Sequence, residues 1–303
     1  MDAHSFAPEA GIPLELAPGL QLILAPNPSP MTYLGTNSYI LGTSRLAIID
    51  PGPNDPQHLA ALMAAIDNRP VSHILVTHSH LDHSPLARPL ADETGAPVLA
   101  FGPSHAGRSN IMKSLAQDDL IAGGEGIDLA FSPDVLLMDG EKITGPEFEL
   151  TARHTPGHIG NHLCFVWGDN IFTGDHIMGW STSLVSPPDG DLTQFMQSCA
   201  RLADIPAQTY FPGHGAPVVN PQKRLQDLVA HRKMREQQIL SKLEAGENEV
   251  ATLTRAIYTD IAPGLRSAAE RNVLAHLIDL VSRGLATAHP QLSRQARFSF
   301  RSQ

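Results

Sequence analysis

The run Thr77-His78-Ser79-His80-Leu81-Asp82-His83 decides how this chain is read. It follows directly on the apolar stretch His73–Val76, which reads as a strand. It precedes Ser84-Pro85, where a helix can open because proline suits a first turn. A chain leaving a strand must turn, so His78, His80, Asp82 and His83 can converge from one loop. Imidazole and carboxylate are the donors that zinc and related first-row ions take. One loop cannot easily give all four to a single tetrahedral ion. Two for each of two neighbouring ions is the natural division, and each ion then needs partners from elsewhere.

The chain offers three such partners, each after a strand-like run and beside a glycine. His158 lies in His154-Thr155-Pro156-Gly157-His158, after Phe148–Ala152. Asp175 lies in Phe172-Thr173-Gly174-Asp175-His176, after Asn170–Phe172. His214 lies in Phe211-Pro212-Gly213-His214-Gly215, after Thr209–Phe211. If these strand ends share one edge, all seven side chains meet, and Asp175, with two oxygens, can bridge two ions. Five of the 15 histidines are thereby used. Four neighbours are candidates for supporting roles. Asp50, closing Leu46–Ile49 before Pro51-Gly52, can accept the second N–H of a ligating imidazole, and His154 can orient a ligand. His176, next to Asp175, is a candidate proton donor to a leaving group or part of the site's wall. Trp180 lies in the long mixed loop 178–188, where it can stack or pack on a substrate. The polar, Gly-rich segment Phe101–Phe131 reads as a lid or pocket wall, with Arg108 and Lys113 facing an anionic substrate or solvent.

Working outward, strand-like runs also occur at Leu20–Leu24, Ser38–Leu41, Leu46–Ile49, Pro97–Ala100 and His162–Trp167. They alternate with helix-like segments at Pro56–Ile66, Ser84–Glu93, Asn110–Leu115 and Leu192–Leu202. This alternation predicts a layered α/β domain. No G-x-G-x-x-G follows a strand and no P-loop is present, which removes the main support for a nucleotide-binding fold. From Pro221 the character changes. Helices are predicted over Gln222–Leu243, Glu249–Tyr258 and Arg266–Arg283, then two short strands, Gly284–His289 and Arg297–Phe300, in the pattern of a winged-helix module. The expected domains are therefore 1–220 and 221–303.

Charge divides at the same point. Residues 1–220 hold 8 Lys/Arg against 23 Asp/Glu, net −15, and residues 221–303 hold 13 against 8, net +5. The basic tail either docks on the acidic domain or faces nucleic acid. The overall −10 argues against a general nucleic-acid coat. Cys164 and Cys199 form neither a disulfide framework nor a C-x-x-C pair, and read as buried apolar side chains. The N-terminal MDAHSFAPEAGIP lacks the basic and apolar regions of a signal peptide, and no run approaches 18 apolar residues. A cytoplasmic protein with no membrane partner is the expectation.

THSHLDH, HTPGH, TGDH and PGHG, in this order over most of residues 15–220, resemble the metallo-β-lactamase superfamily. The resemblance implies an αββα sandwich of two mixed sheets flanked by helices. It implies that His78, His80 and His158 bind one zinc, that Asp82, His83 and His214 bind a second, and that Asp175 bridges them. Iron or manganese accepts the same donors. The full H-x-H-x-D-H with a bridging Asp is more similar to glyoxalase II and nuclease-like hydrolases than to true β-lactamases. Further stretches resemble the β-lactamase-like protein 2 group, with its C-terminal winged helix. These are Asn27-Pro28-Ser29-Pro30-Met31-Thr32, Gly35–Gly42, Ile49-Asp50-Pro51-Gly52, and in the tail His231-Arg232, Arg235-Glu236, Ile257-Tyr258 and Ala275-His276-Leu277. The implied mechanism is hydrolysis by a water shared between two ions, with Asp175 fixing the bridge and Asp82 orienting the nucleophile's proton. The expected substrate is a small ester or thioester. Single-stranded RNA is the alternative, with Arg271, Arg283 and Arg294 as tail contacts, and a non-catalytic metal-binding module is a third reading. A homodimer through the long helix and the wing is left open.

Overall fold

A computed structural model describes residues 6–117, 121, 123–124 and 126–301. The first sheet has seven strands in sequence order: β1 (Leu14–Ala17), β2 (Leu20–Leu24), β3 (Asn37–Leu41), β4 (Leu46–Ile49), β5 (Val71–Leu75), β6 (Val98–Ala100) and β7 (Val135–Leu136). It is antiparallel through β4 and parallel from β4 to β7. The second sheet comprises β8 (Lys142–Thr144), β9 (Glu149–His154), β10 (Leu163–Trp167), β11 (Asn170–Gly174) and β12 (Thr209–Pro212), antiparallel except for the β11–β12 pair. Helices α1 (Pro56–Ile66) and α2 (Ala87–Thr94) follow β4 and β5; α3 is Asn110–Gln117 and α4 is Leu192–Ala203. The C-terminal part holds α5 (Pro221–Glu244), α6 (Val250–Ile257) and α7 (Arg266–Ser282), then the hairpin β13 (Ala286–His289) and β14 (Arg297–Phe300).

Side chains alternate along each strand, so each sheet sorts its residues into two layers. Leu22, Leu24, Tyr39, Leu41, Ile49 and Leu75 meet Leu150, Phe165, Phe172 and Phe211 between the sheets. Their neighbours Ile23, Ile40, Ile48 and Ile74 turn the other way, onto Leu62 and Ile66 of α1 and Leu90 of α2. On the far side, Cys164, Ile171 and Tyr210 pack under Leu192, Phe195 and Leu202 of α4 and Leu225 and Leu228 of α5. The order of layers is therefore helix, sheet, sheet, helix. A fourth core joins α5, α6, α7 and the hairpin, through Leu253, Leu277 and Phe298, to Met112 and Leu115 of α3.

The strands expected from sequence are all present. Unforeseen are β1, β7 and β8, which are short; Val135 and Leu136 of β7 are exposed, so no apolar alternation marks them. α2 begins at Ala87 rather than Ser84, because the Ser84 hydroxyl is committed to the His80 carbonyl at 3.2 Å and to Asp128 at 3.0 Å. Both cysteines are buried and free. Among the described residues no helix is long and apolar enough to cross a membrane.

Candidate metal centre

The strand ends expected to share an edge do so. β4 and β5 run parallel, as do β11 and β12, so Asp50, His78, Asp175 and His214 follow the carboxyl ends of paired strands. β9 points the same way as β11, being two antiparallel steps from it, and its exit carries the loop to His158. The sheets are stitched together there by Thr77 O accepting from Leu163 N at 2.7 Å and Gly213 O accepting from Asn37 N at 2.8 Å. Tyr39 Oη and Asn37 Nδ2 both donate to Pro212 O, at 2.6 and 2.9 Å, and hold the turn into His214. Gly213 must be glycine. A Cβ there would lie 2.5 Å from Asp175 Oδ1 and 2.7 Å from His83 Cε1.

Seven side chains converge in two groups. One ligand atom each from His78, His80, His158 and Asp175 lies within 4.8 Å of the others, and the same holds for Asp82, His83 and His214. In the first group, His80 Nδ1 is 2.9 Å from both His78 Nε2 and His158 Nε2. In the second, His214 Nε2 is 3.1 Å from Asp82 Oδ2 and 3.3 Å from His83 Nε2. Asp175 spans them: Oδ2 faces His158 at 3.7 Å, while Oδ1 faces His83 at 3.4 Å and His214 at 3.3 Å.

The outer ring nitrogens show which way each imidazole is set. His158 Nδ1 donates to Leu184 O at 2.7 Å, and His214 Nδ1 to Gly35 O at 3.1 Å. His83 Nδ1 donates to Asp50 Oδ2 at 3.0 Å. Thr77 Oγ1 gives its proton to the same Asp50 oxygen at 2.7 Å, so it accepts from His78 Nδ1 at 2.9 Å. Each of these four rings therefore spends one N–H outward and turns its other nitrogen toward the cluster, the orientation of ligating imidazoles. Asp50 sets one ring in each group. It does so from a left-handed backbone at φ 51°, which only the packed surroundings can hold.

Electrostatics separate the groups. Burial, reinforced around His78 and His80 by neighbouring imidazoles, pulls His78, His80 and His158 down, His80 to about 3. Burial opposes charge on His83 and His214 too, yet Asp82 and Asp175 prevail, and His214 is pushed up to about 9. Three neutral rings with converging lone pairs, beside two carboxylates that attract positive charge, form a donor set that fits divalent cations. Asp175 Oδ1, buried and without a hydrogen-bond donor, fits the same reading.

The supporting candidates fall in different places. Asp50 is buried beneath both groups, as described. Trp180 lines a cavity with His158 and Asp175, its ring stacked on Tyr33 at 5.0 Å. His154 is not brought to the cluster; it stacks on Phe101 at 3.7 Å and meets Gly160 O at 2.9 Å, bracing the turn that carries His158. His176 faces away from Asp175, onto Phe195 and Cys199 of α4, with ring centroids 4.5 Å apart and Nε2 3.6 Å from Sγ; burial holds it at about 3. Within 101–131, positions 118–120, 122 and 125 lie outside the described residues, and Gly126 lines the cavity over the site. Arg108 pairs with buried Asp189. Residues not singled out in the sequence are Thr77, which relays Asp50 to His78, and Met31, Leu184, Leu265 and Ala268, which wall the cavity. Thr77 adjoins the histidine run and was within reach of sequence reasoning. The wall residues carry no local signal.

Comparison with known proteins agrees with this geometry. Residues 31–214 match the family described as the Metallo-beta-lactamase superfamily, and residues 250–294 the Beta-lactamase associated winged helix domain. A Beta-lactamase-like protein 2 homolog of Drosophila melanogaster is 32% identical over 86% of this chain and 87% of its own length. An Atrochrysone carboxyl ACP thioesterase of Aspergillus fumigatus is 31% identical over 78% of this chain and 69% of its own. A beta-lactamase domain protein from Burkholderia ambifaria shares the fold, with a TM-score of 0.80 at 20% identity over 98% of this chain and 96% of its own.

Proposed function

The chain belongs to the metallo-beta-lactamase superfamily and is a metal-dependent hydrolase, and on that premise we propose that it cleaves a small thioester or ester at a site for two cations. The observation that carries this reading is Asp175, with one oxygen toward each group of imidazoles and the rings' outer nitrogens already satisfied. His78, His80 and His158 would hold one ion, Asp82, His83 and His214 the other, and Asp175 both. The donor set suits zinc, and iron or manganese accept it as well. When bound, such a pair polarises the scissile carbonyl and lowers the pKa of a water.

The chain's own residues do the rest. Asp50 and Thr77 lock the tautomers of His83 and His78. Asp82, the more exposed carboxylate of the site, orients the proton of the attacking water. The thioesterase-named relative supports an acyl substrate. So do two tail cations turned inward: Arg224 Nε donates to Met178 O at 2.6 Å and Arg232 is buried on Ser183 O. Arg283 pairs with Glu236 and Asp279, and Arg294 with Glu270.

The proposal is tested by assaying the metal-loaded protein on acyl thioesters, lactones, a bis-aryl phosphodiester and single-stranded RNA. Thioesters are expected to turn over fastest, with activity lost to a chelator and restored by metal. RNA cleavage with no thioester turnover would replace this reading with a nuclease.

A further inference from the structure

The space over the metal centre has two arms that meet beside His158 and Asp175. One, of 430 Å³, runs past His80 and Asp82 and carries Ser186, Ser267 and Arg271. The other, of 290 Å³, is lined by Met178, Trp180, Tyr258, Ile261 and Ala269. Both arms share Met31, Leu184, Leu265 and Ala268 at the junction. The second arm is thus walled by two thioether or aromatic side chains from the loop after β11 and by α6–α7 of the C-terminal module. Among the described residues, no ionisable side chain but the Tyr258 phenol lines it away from the junction.

Its shape is held from outside. Tyr33 stacks on Trp180 with 17° between the planes, and Arg224 Nε ties down the Met178 carbonyl. Arg235 lies over the Tyr258 ring at 4.3 Å. A concave, pre-formed slot, mainly apolar with Ser181, Thr182 and Asn272 in its lining, beside convergent polar groups is how proteins bind the apolar part of a ligand.

We propose that this arm seats the acyl group of the substrate, and that the substrate class is therefore thioesters of medium-chain or aromatic acids, with the polar thiol portion in the larger arm. This rests on the hydrolase reading above. In the reaction water adds to the carbonyl carbon and the C–S bond breaks; one of the water's two protons passes to the departing thiolate and the other to solvent, leaving a thiol and a carboxylate. The scissile carbon sits at the junction, so the acyl side and the leaving side separate into the two arms. Each CH₂ moved from water into the slot tightens binding by up to about fourfold.

The test compares acetyl, hexanoyl, octanoyl and benzoyl thioesters of one small thiol on the metal-loaded enzyme, with Ile261→Phe and Ala269→Phe as arm-filling variants. The expected result is kcat/KM rising at least 100-fold from acetyl to octanoyl, mainly through KM. Each variant should cut octanoyl and benzoyl turnover at least tenfold while acetyl stays within threefold. Equal loss on acetyl, or no dependence on the acyl group, overturns the arm assignment while the hydrolase reading stands. A second readout does not need turnover. A methyl ketone with an octyl chain should quench or shift the fluorescence of Trp180, one of two tryptophans in the chain, and the response should vanish in Ala269→Phe. No response in the parent overturns the proposal. A response without hydrolysis of any thioester keeps the apolar slot and sinks the thioester chemistry.

Discussion

The cavity has two walls of different construction. One is the edge of the sandwich, where four strand ends deliver the donors and the outer ring nitrogens of His78, His83, His158 and His214 are tied to a hydroxyl, a carboxylate or a carbonyl. The other is the helical C-terminal part, which reaches the same cavity with Tyr258, Leu265 and Ala268 and, among the described residues, brings no metal donor to it. The contrast separates two tasks. Chemistry needs atoms held within tenths of an ångström, and strand ends braced by a second sheet supply that. Discrimination needs a surface, and helices that can vary in sequence supply that. If the separation is sound, damage to the edge removes turnover and metal without unfolding the chain, and damage to the helical wall changes stability or KM while metal stays bound.

The largest expected effect is at the point where the two groups of donors meet. Asp175→Ala should lower kcat/KM by about four orders of magnitude, equivalent to about 5 kcal/mol of transition-state stabilisation. The metal content should fall with it, while the circular dichroism spectrum and chromatographic behaviour stay those of the parent. Two bound metals and full turnover in this variant would break the assignment of the edge as the catalytic wall.

The helical side is probed next by Arg232, buried at 3% exposure on Phe195, with one guanidinium nitrogen donating to Asn272 Oδ1 at 3.0 Å and another to Ser183 O. Arg232→Met keeps the stem but leaves a buried carbonyl without its charged donor, a loss of about 3 kcal/mol in stability. Denaturant unfolding should show that loss, and the metal content should be unchanged. Loss of metal without loss of stability would mean that the two walls are not separable.

Much of the edge was legible in the chain, and little of the other wall. His78 to His83 are contiguous, and His158, Asp175 and His214 each follow a recognisable strand and glycine, because convergence on one edge forces donors to strand ends. Its place beside Asp175 makes His176 a candidate proton donor or part of the site's wall, yet adjacent residues leaving a strand face opposite ways, and this one packs on α4. Met31, Leu184 and Leu265 lie in separate loops brought together only by the packing of three layers, so no spacing announces them. The charge split was visible but ambiguous; side-chain direction decided that Arg224 and Arg232 serve the loop over the site. The very short β7 and β8 fall below the length at which alternation can be detected.

A smaller effect sharpens the comparison from within the edge. Asp50 touches no candidate ion position; it sets His83 directly and His78 through Thr77. Asp50→Asn preserves shape but replaces an acceptor with an amide, and metal affinity should fall tens of fold, about 2 kcal/mol. Competition with a fluorescent chelator measures it. Unchanged affinity would show that the backbone alone positions the rings.

The smallest expected effect concerns His276 of α7, 2% exposed and not one of the seven donors. Burial, with Arg232 and His231 nearby, lowers its pKa to about 3. At pH 7 the ring is neutral in the folded chain and mostly neutral in the unfolded one, so it contributes little pH dependence there. As pH falls below about 6.5 the unfolded chain takes up a proton that the folded chain refuses, and stability is lost progressively down to about pH 3. One pH unit below 6.5 costs about 1.4 kcal/mol. His276→Gln should remove that slope, so that the difference between unfolding free energies at pH 7 and pH 5.5 shrinks by about 1.4 kcal/mol relative to the parent, with metal content at pH 7 unaltered. An acid sensitivity that survives the substitution would have to come from the edge, where His78, His80 and His158 are also held neutral, and would move the pH-sensitive element from the helical wall to the catalytic one.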